Sequence, residues 1–305
     1  VKCRQCGRTA VMHMRPYRLS LCEKHYDGWF VDQTKRTIRT YDMFGHSDRI
    51  LVAVSGGKDS LSLWDVLLRL GYQVDGLYID LGIDRGERYS ARSREFVERF
   101  AASRPGTTLR IADLNADYGE TLQEVARHTR RARGKPCALC GLIKRHAMNR
   151  VALDEAYTVL ATGHNLDDEA TALFGNVLHW QTGYLARQAP VLPADSAGLA
   201  RKVKPLCRRY ERETAAYAIL AGIEYIIDEC PFAAHASSLR YKDLLNRLET
   251  DSPGALLQFY GKFLKQREDG LFEAQAVELH KCSHCGQPTS APDLCAFCRL
   301  WPDNE

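Results

Sequence analysis

Leu51-Val52-Ala53-Val54-Ser55-Gly56-Gly57-Lys58-Asp59-Ser60 packs three elements into ten residues. The apolar run Arg49–Ser55 reads as a strand, and Ser60–Gly71 as a helix ended by glycine. Between them, two glycines let backbone N–H groups face a phosphate, and the helix N-terminus adds partial positive charge. Ser55 and Ser60 supply hydroxyls and Lys58 a mobile cation. The spacing is neither Walker A nor the dinucleotide pattern Gly-x-Gly-x-x-Gly. The plain alternative is an ordinary strand-to-helix turn.

Working outward, strand and helix signals alternate. Val74–Asp80, Thr107–Leu114 and Tyr157–Gly163 read as strands. Glu87–Ser103, Leu139–Ala156, Asp167–Trp180 and Glu211–Ala221 read as helices, and Tyr225–Asp228 as extended chain. Such alternation predicts an α/β fold with a mostly parallel sheet. Residues 181–205, with Pro190, Pro193, Gly198 and Pro205, read as a long loop. The 305 residues are 45% hydrophobic and 26% charged, which excludes a disordered, collagen-like or coiled-coil chain. The longest apolar run, Ala215–Ala221, is far shorter than the roughly 20 residues that span a bilayer. With no apolar signal region after Val1-Lys2-Cys3, the expectation is a soluble, cytoplasmic protein with no membrane partner.

Net charge is only +4, so the distribution of charge matters more than its sum. Residues 127–150 hold Arg127, Arg130, Arg131, Arg133, Lys135, Lys144, Arg145 and Arg150 with no Asp or Glu. That block suits nucleic-acid phosphates, or is a solvated basic face. A weaker block comprises Arg201, Lys202, Lys204, Arg208 and Arg209.

The eleven cysteines are more telling. Cys3, Cys6, Cys22 and His25 have the spacing of a zinc finger, and Cys282, Cys285, Cys295 and Cys298 that of a zinc ribbon. With four protein ligands each, both predict structural zinc rather than catalytic zinc. The expected organisation is an N-terminal finger over 1–30, a catalytic domain over 31–270 and a C-terminal ribbon over 271–305. Cys137, Cys140, Cys207 and Cys230 remain. Cys137 and Cys140 open a helix that brings Lys144 onto the side of Cys140. These thiols are buried and inert, a redox or persulfide pair, or cluster ligands.

The Ser-Gly-Gly-Lys-Asp-Ser loop resembles the PP-loop of N-type ATP pyrophosphatases. Pro136-Cys137-Ala138-Leu139-Cys140-Gly141 and Asp228-Glu229-Cys230-Pro231 extend the likeness to the TtcA/TtuA family of tRNA 2-thiolation enzymes, in the branch with terminal zinc modules. The resemblance implies a PP-loop domain that cleaves ATP to AMP and pyrophosphate. ATP would be held by Ala53, Val54, Ser55, Gly56, Gly57, Lys58, Asp59, Ser60 and Ile79, with Lys144 and Asp168. Lys144, Asp168 and Asp59 would be catalytic, with Mg2+ beside them. The competing role for Asp167 and Asp168 is helix N-capping. Cys137, Cys140 and Cys230 would hold a [4Fe–4S] cluster, leaving Cys207 spare. The resemblance further implies a homodimer, a tRNA substrate and a ubiquitin-like sulfur carrier ending in a thiocarboxylate.

The expected reaction adenylates uridine O2 and replaces that oxygen with sulfur, giving 2-thio-5-methyluridine at T-loop position 54. The alternatives are a wobble-uridine 34 thiolase of the same branch, an amidotransferase or lysidine-type ligase with a PP-loop, and a zinc-ribbon RNA-binding protein without catalysis.

Overall fold

The computed structural model describes residues 1–84, 86, 88–129, 136–195, 198–233, 237–272 and 278–301. Arg130, Arg131, Arg133 and Lys135 of the basic block lie outside the described residues.

A six-stranded sheet organises the chain in the order β5-β4-β3-β6-β8-β7. β3 (Arg49–Val54) lies centrally between β4 (Gln73–Asp80) and β6 (Val159–Thr162), and β5 (Leu109–Asp113) forms one edge, all parallel. β8 (Lys202–Val203) continues the parallel run beside β6, and β7 (Val191–Leu192) closes that edge antiparallel. The parallel steps require crossovers, made by α2 (Lys58–Arg69), α3 (Tyr89–Ala102) and α6 (Pro136–Asp154). Two short helices, α4 (Leu114–Tyr118) and α5 (Leu122–His128), precede α6. Ile50, Leu51 and Val52 are fully buried, as a strand covered on both faces requires.

Tyr225–Asp228, expected as extended chain, belongs to no strand of the sheet: β8 lies beside β6, β7 forms that edge, and Ile226 N–H bonds to Gly56 C=O at 2.9 Å. The stretch 181–205 is not one long loop, because it contains α8 (Thr182–Arg187), β7 and β8.

The cysteine modules are packed into the domain. A hairpin, β1 (Met12–Met14) with β2 (Leu19–Leu21), leads into α1 (Glu23–Thr40), which runs unbroken across residue 30. Tyr26 and Phe30 of α1 share a core with Cys3, Cys22 and Tyr217. At the other end Cys282, Cys295, Cys298 and Phe297 share a core with Leu139 and Ile143 of α6. α7 (Leu166–Leu178), α9 (Glu211–Leu220), α10 (Ser237–Asp251) and α11 (Ala255–Glu268) complete the helical layers.

Candidate active site and metal centres

The glycine loop sits at the carboxyl end of β3, where ligands bind in open parallel sheets. Gly56 has φ +77°, and a Cβ there would lie 2.5 Å from the Ser93 carbonyl oxygen. Ser60 ties the loop together: its Oγ accepts from Ser55 N–H at 3.1 Å and donates to Gly57 C=O at 3.0 Å. Gly163, at the end of the strand read over Tyr157–Gly163, abuts the loop so closely that a Cβ would meet Ser60 N at 2.8 Å. Ala53, Val54, Ser55, Ile79 and Lys144 line one cavity of about 100 Å3 beside the loop. Lys58, Asp59 and Asp168 lie outside that lining.

Those three belong to a chain of ion pairs. Lys58 Nζ lies 3.0 Å from Asp59 and 2.7 Å from Glu211 Oε1. Lys242 Nζ, from α10, lies 2.7 Å from Glu211 Oε2 and 3.2 Å from Asp168 Oδ1. Asn165 Nδ2 donates to Asp59 Oδ1 at 3.1 Å. Burial opposes ionisation of Lys58, but Asp59 and Glu211 outweigh it and raise its pKa. Burial raises the Asp59 carboxyl, which Lys58 pulls back, and the nearby Asp168 charge pushes it further up. Glu211 and Lys242 were not legible in the sequence, since they meet the loop only in three dimensions.

Both acids of Asp167-Asp168 take capping roles. Asp168 completes a capping box, its Oδ2 accepting from Asn165 N–H at 3.2 Å, and keeps Oδ1 for Lys242. Asp167 accepts from Glu211 N–H at 2.8 Å at the start of α9; burial raises its carboxyl to about 6.

Cys137 and Cys140 lie on the first turn of α6, and Cys137 Sγ donates to Phe232 C=O at 3.5 Å, bringing the Cys230 loop alongside. Burial raises both thiols. The Cys230 charge raises both further, while Lys144 pulls Cys140 down. Arg92 of α3 anchors this loop through Asp228 at 2.5 Å. Cys230 is near enough to act electrostatically on both other thiols, although the three are not among the described donor sets close enough to share one ion. Cys207 is a core thiol, pushed up to about 12 by burial.

Among the described residues, two sets of donors come close enough for one ion: Cys3, Cys6, Cys22 and His25, and His146, Cys285, Cys295 and Cys298. Metal–sulfur bonds of about 2.3 Å at tetrahedral angles put two sulfurs about 3.8 Å apart, and a sulfur and an imidazole nitrogen about 3.6 Å apart. Cys6–Cys22 is 3.7 Å and Cys285–Cys295 is 3.8 Å, while His25 Nδ1 lies 3.3 and 3.5 Å from Cys3 and Cys22. Cys282 joins the second set, accepting from Cys295 N–H at 3.2 Å. Burial opposes its ionisation, yet N–H groups of Cys285, Cys295 and His284 bring it down to about 6. His146, in mid-helix on α6, gave no sequence signal. Its ring stacks on Phe297 at 3.6 Å, its Nε2 lies 3.5 Å from Cys285 Sγ, and burial lowers its pKa to about 4.

Two cations of the second basic block are engaged by buried acids, Lys204 with Glu169 at 2.8 Å and Arg209 with Glu213 at 3.4 Å, while Arg208 is exposed. A larger cavity of about 620 Å3 lies between α6 and the C-terminal module, bordered by Tyr118, Arg150, His284 and Trp301. It includes no residue of the glycine loop.

A parallel sheet with a Ser-Gly-Gly-Lys-Asp-Ser turn at the end of its central strand defines a PP-loop protein, and the PP-loop domain family (ATP_bind_3) matches residues 30–232. The N-terminal LIM domain of 2-thiouridine synthetase TtuA matches residues 2–27. The chain belongs to the TtcA/TtuA family of tRNA 2-thiolation enzymes. It is 50% identical to the tRNA-5-methyluridine(54) 2-sulfurtransferase of Thermus thermophilus, over 98% of this chain and 90% of that protein. It is 42% identical to the protein of the same name from Thermotoga maritima, over 98% and 96%. The U34-tRNA thiolase NcsA from Methanococcus maripaludis, solved with its [4Fe-4S] cluster, matches with a TM-score of 0.76 and 25% identity, covering 88% of each chain. This membership leaves the amine-transfer and adaptor readings without support.

Proposed function

We propose that the chain is an ATP-dependent tRNA sulfurtransferase that makes 2-thio-5-methyluridine at position 54. The observation that carries this is the placement of Cys137, Cys140 and Lys144 on one helix, with Lys144 lining the cavity at the glycine loop. Uridine O2 attacks the α-phosphorus of ATP, pyrophosphate leaves, and O2 becomes part of an AMP leaving group. A sulfur nucleophile then attacks C2, and AMP departs with the former O2. Lys144 stabilises charge developing at the α-phosphate. Asp59 and Asp168 offer the hard oxygen donors that Mg2+ prefers. Cys137, Cys140 and Cys230 would hold a [4Fe–4S] cluster, whose iron without a protein ligand can present hydrosulfide. Of the remaining described cations of α6, exposed Arg145 is the one offered to tRNA phosphates, since Arg150 is engaged by Asp154 at 3.5 Å and by Tyr118.

The resemblance supports the rest of the reading: a ubiquitin-like carrier delivering sulfur as a thiocarboxylate, a homodimer, and a cytoplasmic setting. Among the described residues no helix is long and apolar enough to cross a membrane.

The test is nucleoside analysis of tRNA containing 5-methyluridine after anaerobic incubation with reconstituted protein, ATP-Mg2+ and sulfide. A 2-thio nucleoside at position 54 is the expected result. Thiolation at position 34 instead would favour the second reading, which the likeness to NcsA supports. No thionucleoside, even with carrier supplied, would overturn both. In the same assay Lys144→Ala is expected to lower the rate about 100-fold or more, on the scale of losing a positioned electrostatic group. A wild-type rate would remove Lys144 from the chemistry.

Cys3, Cys6, Cys22 and His25, and Cys282, Cys285, Cys295 and Cys298, are assigned to structural zinc, with His146 beside the second set and not a ligand in it. With its Nε2 protonated, His146 donates to the Cys285 thiolate, an outer contact of the kind whose loss weakens metal retention about 10–100-fold. His146→Phe preserves the ring stack and removes the donor. It is expected to yield zinc from the C-terminal module to chelators at correspondingly lower concentration, leaving the N-terminal zinc in place. Equal zinc release by variant and wild type would rule the contact out.

A further inference from the structure

Glu211 stands between two lysines. Its Oε1 lies 2.7 Å from Lys58 of the glycine loop, and its Oε2 lies 2.7 Å from Lys242. One carboxylate thus spreads both oxygens over two ammoniums, as two oxygens of a phosphate would. The three side chains are 20–31% exposed, so solvent screens the pairs only in part. The local charge is also informative. Two ammoniums face the three carboxylates of Asp59, Asp168 and Glu211, leaving the cluster net negative. A triphosphate entering such a place meets repulsion from every carboxylate. Asp59 and Asp168 can be offset by a divalent cation, whereas Glu211 occupies the very lysines that phosphate oxygens need.

Glu211 also has somewhere to go. Its backbone is fixed, because its N–H donates to Asp167 at 2.8 Å at the first turn of α9. Its side chain borders a cavity of about 400 Å3, which Lys58 and Arg212 also line. A change of side-chain rotamer has room here to break the pair with Lys242, although Asp167 and Glu249 also border this space.

Resting on the ATP-using reading of this site, we propose that Glu211 is an internal stand-in for phosphate: it holds Lys58 and Lys242 together while the site lacks nucleotide, and the β- and γ-phosphates of ATP, or free pyrophosphate, displace it and take over both lysines. Lys242 is then a second phosphate-binding cation, positioned from α10, and Glu211 sets how readily polyphosphate enters and leaves.

The test measures binding of ATP, pyrophosphate and AMP, each with Mg2+, to the full chain. Glu211→Gln keeps the shape of the side chain and removes the competing charge. ATP and pyrophosphate are expected to bind it about tenfold more tightly than wild type, with AMP changed less than about twofold. Lys242→Met is expected to weaken ATP and pyrophosphate by a similar factor and again to spare AMP. A purely structural ion-pair network predicts otherwise: equal effects on all three ligands, or none. Unchanged or weaker pyrophosphate binding by Glu211→Gln would overturn the proposal. Should that variant fail to fold, a structure of the wild-type protein with pyrophosphate decides: the Glu211 pairs to Lys58 and Lys242 must both be broken, and their persistence beside bound pyrophosphate overturns the idea. If wild type binds neither ATP nor pyrophosphate, the ATP-using reading itself fails.

Discussion

Cys230→Ser is expected to strip the iron–sulfur cluster and to lower tRNA thiolation by at least about a thousandfold, while ATP binding stays intact. A nucleophile held in place acts at effective concentrations of about 10⁵ M or more, so releasing sulfide to solution forfeits most of that advantage. Cys230 sits in a loop that Arg92 anchors through Asp228, with Cys137 bonded to Phe232 two residues further on. Serine fits this loop sterically, so the loss would be of ligation rather than of fold. The readouts are iron per chain, visible absorbance, 2-thio nucleoside yield and ATP affinity. Cys207→Ala supplies the contrast: its thiol is wholly buried in the core, and its loss should reduce stability without removing iron. A Cys230→Ser protein that kept full iron and full rate would end the three-cysteine assignment.

Gly56→Ala is expected to weaken ATP binding by about 100-fold or more while the chain still folds and retains its metals. An alanine at φ +77° carries a backbone cost of about 1–2 kcal/mol. The added Cβ would also lie 2.5 Å from the Ser93 carbonyl oxygen, a fixed backbone atom of α3, so the loop must shift. About 3 kcal/mol in total corresponds to roughly 100-fold in affinity. The shift displaces the N–H groups that face phosphate, so the cost falls on the nucleotide. Gly57→Ala makes the informative partner: its φ is −85°, and a Cβ would meet only Ser55 Oγ at 3.5 Å. It should bind ATP within a few-fold of wild type. Equal affinities for the two variants would mean that loop geometry does not govern binding.

Much of this site was legible because its signals are local. β3, the glycine turn and α2 are adjacent in sequence, and an apolar run followed by Gly-Gly and a helix start identifies them without tertiary information. The cysteine spacings are equally local, since ligands three residues apart meet on one turn. What stayed hidden depends on chain segments meeting at long range. Lys242 reaches Asp168 across 74 positions, and His146 reaches Cys285 across 139. Tyr225–Asp228 joins no strand because the place beside β6 had already gone to Lys202–Val203, two residues in a stretch whose prolines suggested a loop, and the edge beyond it to Val191–Leu192. In Tyr225–Asp228, the bond from Ile226 to Gly56 matters more than any pairing it could have made.

α6 carries Cys137, Cys140, Lys144 and His146 within ten residues, about 14 Å of rise. On the proposed reading it works as an indexing rod, on which a sulfur-handling thiol, a nucleotide-facing cation and the anchor for the terminal metal module are cut at set intervals. Inserting one residue between Cys140 and Lys144 would turn everything beyond it by about 100° and aim the marks at different neighbours. Substitutions along the rod change one mark at a time, whereas a change of length misaligns several at once. The length of this segment is therefore expected to be less variable among relatives than the residues it is made of, a pattern set by gearing rather than by packing.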